Sequence, residues 1–239
     1  PPRSTLFPYT TLSDLGSINK FNKLGYEVGI GSMYGAMDIK KASGSGSYPQ
    51  NNIEYCKLLK ETISELGIKK VIDFGCGNLE TYTNNIDWEN EETEYLGYEI
   101  NKYCLEYLYE TYPQMTFKQA HLKTMPTDKA DAIIIKDVFI HWFDEDIKWF
   151  IQEAMKQYRY IITSNETTGQ GYESKYGSRR HAPGPWKVYG DQWKDNIQNK
   201  HLYGFKVLPY NILPTNKIIK SQNWTSNNIK TFIVIDSEK

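Results

Sequence analysis

Val71-Ile72-Asp73-Phe74 is a short apolar run interrupted by one acid, and it breaks into Gly75-Cys76-Gly77-Asn78. The run has the length and β-branched character of a strand buried on both faces. Two glycines let the backbone turn tightly and approach a ligand closely. Asp73 stands at the strand's end, where a carboxylate can accept hydrogen bonds from the loop or take a cationic ligand group. Upstream, Ile53, Leu58, Leu59, Ile63 and Leu66 recur at helical spacing, which predicts a helix over 51–66 with Gly67 as its stop. Downstream, the pattern predicts a second helix over 79–86, a strand over 95–100, a helical segment over 101–112 that ends before Pro113, and a weak strand over 115–117.

Farther along, Ala132-Ile133-Ile134-Ile135 is the strongest buried-strand signal in the chain. A helix over 145–158 presents Ile147, Phe150, Ile151 and Ala154 on one side, and a fifth strand follows over 160–163. Residues 164–190 read as a long loop rich in Gly, Pro and charge, 191–201 as a helix, and 205–208 and 231–235 as the two closing strands. Strands alternating with helices predict an α/β fold: three layers, doubly wound, with a mainly parallel sheet of about seven strands. Residues 51–239 are expected to form that domain and 14–50 an N-terminal arm, whereas 1–13 lack any helical or strand period and read as a non-native or disordered terminus.

The 239 residues carry 28 Lys plus Arg against 29 Asp plus Glu, a net charge of −1. That balance argues against a protein held on nucleic acid by bulk charge. No apolar run approaches the roughly 20 residues that span a bilayer, so no membrane role is expected. The three cysteines, Cys56, Cys76 and Cys104, form no Cys-x-x-Cys pair and no zinc-type cluster with histidine. A reducing, cytoplasmic setting and no metal site are therefore expected.

Ligands of open α/β sheets bind beyond the carboxyl ends of the strands. Glu99 closes the strand after the glycine turn, where an acid can take both hydroxyls of a ribose. Together with Asp73, Gly75 and Gly77 it favours a nucleoside ligand over a plain Gly-rich turn. Gly75-Cys76-Gly77-Asn78-Leu79-Glu80 lacks the third glycine of a nicotinamide fingerprint. The pattern suits a ligand with an amino group and less pyrophosphate.

Residues 71–77 resemble the first motif of class I S-adenosylmethionine-dependent methyltransferases. Tyr95-Leu96-Gly97-Tyr98-Glu99-Ile100 resembles their second strand with its ribose-binding acid. Asp131-Ala132-Ile133-Ile134-Ile135-Lys136-Asp137-Val138-Phe139-Ile140-His141-Trp142 resembles their fourth strand and the turn after it. The resemblance covers roughly 40–236, and a small-molecule and glycan subgroup shares the Gly-Ser-Gly-Ser of 44–47. It implies sheet order 3-2-1-4-5-7-6 with an antiparallel C-terminal strand, S-adenosyl-L-methionine as cofactor, and cofactor contacts at Asp73, Gly75, Cys76, Gly77, Glu99, Ile100, His121, Leu122 and Asp137. Asp137 would sit beside both the sulfonium and the substrate. Two positions depart from the pattern: His121 stands where an acid toward adenine is expected, which shifts that recognition to backbone and Leu122, and Asn78 stands where an acid is frequent.

The implied chemistry is in-line methyl transfer, in which the protein binds, orients and excludes water. His141 is the candidate general base or substrate contact, with Asp137 beside it as the second catalytic candidate. Arg179, Arg180 and His181 are candidate substrate ligands, since paired arginines bind phosphate or carboxylate. Tyr34, Tyr48 and Trp142 are candidate aromatic faces for the sulfonium. The arm 14–50 and the loop 164–190, with Tyr172, Tyr176, Trp186 and Tyr189, are expected to cover the substrate. The leading expectation is a methyltransferase acting on a small-molecule or glycan acceptor such as a sugar or phosphorylated metabolite. The alternatives are a nucleic-acid methyltransferase, which a loss of activity on nuclease treatment would reveal, and a non-catalytic binding module of the same fold, which a failure to bind the cofactor would favour.

Overall fold

A computed structural model gives the structure of the chain, and it describes residues 45–120, 124–139, 144–168, 182–183, 204–205, 208–209, 212–225 and 230–239. The main elements are α1 (Ile53–Leu66), β1 (Lys70–Phe74), β2 (Glu94–Glu99), α2 (Lys102–Thr111), β3 (Thr116–Gln119), β4 (Ala132–Lys136), α3 (Asp144–Gln157) and β5 (Tyr160–Thr168). They are followed by the short strands β6 (Ala182–Pro183), β7 (Gly204–Phe205) and β8 (Leu208–Pro209), and by β9 (Ile218–Asn223) and β10 (Lys230–Asp236). The sheet runs β3-β2-β1-β4-β5-β10-β9. Its first five strands are parallel, and β10 pairs antiparallel with both β5 and β9. Counted along the seven main strands this is the expected order 3-2-1-4-5-7-6. β8 adds a short parallel pairing to the far end of β5, and β6 pairs with β7 separately.

Strand alternation divides the core in two. Val71, Ala132, Ile134, Ile162, Phe232 and Val234 face one side, where α1 packs through Tyr55, Leu58 and Leu59 and α2 through Leu105 and Leu108. Ile72, Ile133, Ile135, Ile161 and Ile233 face the other, where α3 packs through Ile147, Phe150 and Ile151. Burial on both faces is why β4 reads as an unbroken apolar run. α1 ends as its sequence predicts. Gly67 has φ +62, its N–H donates to Ser64 O at 3.2 Å, and the N–H of Ile68 donates to Ile63 O at 3.0 Å. This is the paired closure of a Schellman cap, sealed by the buried Ile63 and Ile68.

Four expectations are corrected. Residues 79–86 are a succession of turns: Leu79 and Asn84 have positive φ, and the Asn78 side-chain oxygen accepts from the Glu80 N–H at 3.1 Å, which closes a local turn that competes with a helix. The partner of the last strand is β9, with the polar sequence IIKSQN, rather than 205–208, which contributes only the ends of β7 and β8. β5 continues to Thr168, so the loop expected from 164 starts later. The weak third strand lies one residue later than expected at its start and reaches Gln119. The helix expected over 191–201 and residues 1–44 lie outside the described residues.

Candidate functional site

β1, β2 and β4 end together, and the turn after β1 binds them. The N–H groups of Gly75 and Cys76 both donate to Tyr98 O, at 2.8 and 3.1 Å, which folds the turn across the end of β2. Gly75 has φ +87, and a Cβ there would stand 2.4 Å from Val138 Cγ2, so Val138, in the turn after β4, occupies the space that a side chain would need. Gly77 also has positive φ, +59, and its N–H donates to Glu99 Oε2 at 2.9 Å. Glu99 Oε1 accepts from the Asn101 N–H at 2.8 Å. Burial raises the Glu99 carboxyl, opposed by these backbone donors. Gly97 in β2 was not singled out by the sequence. A Cβ there would meet Phe117 at 2.8 Å and Cys76 Sγ at 2.9 Å, so its bare backbone makes room for the buried Cys76 side chain. A glycine inside a strand pattern is the signal that would have found it. Ile100 follows β2 and is half-buried, packed against the α3-side core.

Asp73 and Asp137 come to the same end of the sheet in contrasting surroundings. Asp73 is 2% exposed, and its Oδ2 accepts the hydroxyls of Tyr82 and Tyr95, both at 2.8 Å. Burial pushes its carboxyl up to about 6, although the two hydroxyls and Lys136 pull the other way. Burial and the Asp73 charge hold both tyrosine hydroxyls well above their ordinary value, so they act as donors.

Asp137, just past β4, has φ +56. Its N–H donates to Ser164 O at 2.8 Å, and its Oδ2 accepts from Lys136 Nζ at 2.7 Å and Lys230 Nζ at 2.6 Å. Burial alone would raise this carboxyl, but the two ammonium groups outweigh it and hold it down at about 2. Its other oxygen, Oδ1, is buried and has no hydrogen-bond partner among the described residues. Each lysine rests on an aromatic ring, Lys136 5.6 Å from the centre of Tyr55 and Lys230 5.8 Å from that of Trp224. A left-handed, non-glycine backbone and an unsatisfied buried oxygen are costly features that fold stability does not ask for, and they concentrate at functional sites. The lysines were missed in the sequence; Lys230 lies 93 residues from Asp137 and only the fold joins them.

Asp73, Gly75, Cys76, Gly77, Glu99 and Asp137 are thus gathered at one sheet end. His121, Leu122, His141, Arg179, Arg180 and His181 lie outside the described residues, as do Tyr34, Trp142, Tyr172, Tyr176, Trp186 and Tyr189. Tyr48 is half-buried, and its carbonyl accepts from Asn52 Nδ2 at 2.9 Å. A cleft of about 400 Å3 lined by Ile63, Ile68, Trp88 and Thr93 opens instead at the amino-terminal ends of β1 and β2, away from this cluster. Among the described residues no group of three or more His, Cys, Asp or Glu is placed to hold a metal ion, and no helix is long and apolar enough to cross a membrane.

The fold is similar to that of three solved structures. Magnesium protoporphyrin IX methyltransferase (ChlM) from Synechocystis PCC 6803, solved with bound SAH, is 15% identical, with 93% of this chain and 98% of that chain covered and a TM-score of 0.55. The mitomycin 7-O-methyltransferase MmcR is 12% identical, with 95% of this chain and 60% of that chain covered and a TM-score of 0.55. The methyltransferase domain of bacterial CtHen1 is 13% identical, with 77% of this chain and 97% of that chain covered and a TM-score of 0.51. No protein-family model and no curated protein matches the chain. At these identities the likeness establishes the fold: the chain has the Rossmann-like fold of class I methyltransferases.

Proposed function

We propose that this chain is an S-adenosylmethionine-dependent methyltransferase that acts on a small polar acceptor such as a sugar, glycan or phosphorylated metabolite. The observation that carries the reading is the setting of Asp137: gripped by two lysines, placed in a left-handed turn beside the glycine loop, with one buried oxygen that has no donor among the described residues. Such an oxygen fits a cationic or N–H-bearing ligand. When bound, the cofactor supplies a methyl group on positively charged sulfur that an acceptor oxygen or nitrogen can displace in line.

The residues would divide the work as follows. Asp137 holds a donor at Oδ1. The turn Gly75–Gly77 lets the ligand lie against backbone. Glu99 already accepts from Gly77 and Asn101, and a carboxylate has about four lone-pair sites, so it keeps capacity for ribose hydroxyls. Ile100, His121 and Leu122 would flank the nucleoside, and Asp73 supports the turn from behind through Tyr82 and Tyr95. His141 would take the proton from an attacking hydroxyl, and Arg179, Arg180 and His181 would hold an anionic group of the acceptor.

Titration calorimetry with S-adenosylmethionine tests the reading. Binding by the wild type that weakens by tenfold or more in Asp137→Asn is expected, because a lost charge-assisted contact is worth about 1.5–3 kcal/mol. No binding by the wild type would sink it. Turnover is then followed across nucleotide sugars, glycans and RNA, and methylation of RNA alone would move the acceptor class to nucleic acid.

A further inference from the structure

Two lysines hold one oxygen of Asp137, while the buried second oxygen has no donor among the described residues, an arrangement with a direction. We propose that Lys136 and Lys230 are positioning residues: they clamp Asp137 Oδ2 so that Oδ1 is held as the acceptor for a cationic or N–H/O–H group of the bound cofactor or methyl acceptor. The proposal rests on the methyltransferase reading and adds to it the residues that aim Asp137.

The clamp is built from three parts of the sheet. Lys136 is the last residue of β4 and Lys230 the first of β10, and they reach Oδ2 at 2.7 and 2.6 Å. Between them in the sheet, β5 fixes the Asp137 backbone through Ser164 O at 2.8 Å. The Ser164 hydroxyl oxygen accepts from Trp224 Nε1 at 2.8 Å, and the Trp224 ring lies under Lys230. Lys230 is fixed further by its own N–H, which donates to Thr225 Oγ1 at 3.1 Å. A carboxylate serving only as a buried salt bridge gains most by engaging both oxygens. Here both cations sit on one oxygen, and the other, on a residue with left-handed φ, has no partner among the described residues. Among the described residues, the other titratable groups that act on this cluster are Asp73 from β1 and Tyr55 and Cys56 from α1. The Asp73 carboxyl itself feels Lys136.

The test follows the carboxyl carbon of Asp137 by 13C NMR, assigned by its disappearance in Asp137→Asn, in the wild type, Lys230→Met and Lys230→Arg. In the wild type the signal should stay flat between about pH 4 and pH 8, because two ammonium groups stabilise the anion. In Lys230→Met, burial is opposed by Lys136 alone, so the midpoint should rise into that range, and Lys230→Arg should restore the flat line. Calorimetry with S-adenosylmethionine on the same proteins should show Lys230→Met losing roughly tenfold in affinity toward the acid end, per unit of pH below its new midpoint, and Lys230→Arg keeping the wild-type profile. An unmoved Asp137 signal in Lys230→Met overturns the clamp. A signal that moves while affinity stays independent of pH overturns its role in ligand binding. Should Lys230→Met not fold, Lys230→Gln, which keeps a donor for Oδ2 without the charge, decides the same question. A wild type that binds no cofactor refutes the methyltransferase reading, and the NMR midpoint still decides the clamp.

Discussion

Replacing Asp73 with Asn should remove a pH-dependent weakness from the folded chain. The carboxyl is 2% exposed and lies among Tyr55, Tyr82 and Tyr95. Burial is the largest influence and raises its pKa from the ordinary 3.8 to about 6. The folded state therefore holds this proton more tightly than the unfolded chain. Its contribution is fully present below the unfolded value, declines as pH rises, and is gone above about 6. At 1.36 kcal/mol per pH unit, the gap amounts to about 3 kcal/mol. Asn has no proton to lose and can still accept a tyrosine hydroxyl through its side-chain oxygen. The assay is urea unfolding of both proteins from about pH 4 to pH 7, read by the fluorescence of the buried Trp88 and Trp224. Glu99 and Asp137 titrate in both chains, so their own contributions cancel and only their coupling to the Asp73 charge stays in the difference. The expected result is that Asp73→Asn gains about 2–2.5 kcal/mol on the wild type over that range. A difference that stays constant to within about 0.5 kcal/mol, or one that grows in the wild type's favour, would show that the two tyrosine hydroxyls offset burial and that the argument has the dominant force wrong.

Gly75→Ala should cost roughly 2–4 kcal/mol in the same unfolding assay, from a non-glycine residue at φ +87 together with a Cβ 2.4 Å from Val138 Cγ2. Val138→Ala in that background should return the steric part and leave the conformational part, and a full recovery would contradict the backbone half of the argument. Glu99→Gln keeps the shape but can accept only through one side-chain oxygen, so its NH2 would face either the Gly77 or the Asn101 N–H. A loss of about 1–3 kcal/mol in stability is expected, with weaker cofactor binding by calorimetry. Unchanged stability would mean that these two donors do not depend on the charge.

What could be read in the sequence tracks how each element is buried. β1 and β4 are covered on both faces, so their apolar runs announce themselves, and α1 shows its stripe because only one side meets the sheet. β9 is the edge strand and is nowhere fully buried. Its sequence therefore has no need for an apolar pattern, and 205–208, with Phe205, Val207 and Leu208, drew the assignment instead. The missing helix over 79–86 has a local cause, the Asn78 turn followed by left-handed Leu79. It leaves Tyr82 free to turn back onto Asp73. The glycine loop and Glu99 were legible because backbone demands restrict residue type. The lysine clamp was not, because a largely buried lysine looks in sequence like any surface lysine, and only strand order places residue 230 beside residue 137.

The two acids at this sheet end look alike in sequence and are driven apart by their neighbours. Asp73 is held by neutral hydroxyls, and burial raises it toward 6; Asp137 is held by two cations, and they bring it down to about 2. Environments that separate two carboxyls in this way also separate their roles. A carboxyl that gains its proton near neutrality, with one oxygen already taken by two tyrosines, suits support of a turn. A carboxylate that stays charged at every physiological pH, with one oxygen fixed and the other without a donor among the described residues, suits holding a cation. Lys136 touches both settings, bonded to Asp137 and acting on Asp73 through space. Ionisation of Asp73 and retention of the clamp are therefore coupled, and the sign of that coupling is favourable: the ammonium that keeps Asp137 charged also makes the buried Asp73 easier to ionise. On the proposed reading, the acid offered to a ligand is the one whose charge does not depend on pH, and the acid whose charge does depend on pH supports the glycine turn from behind.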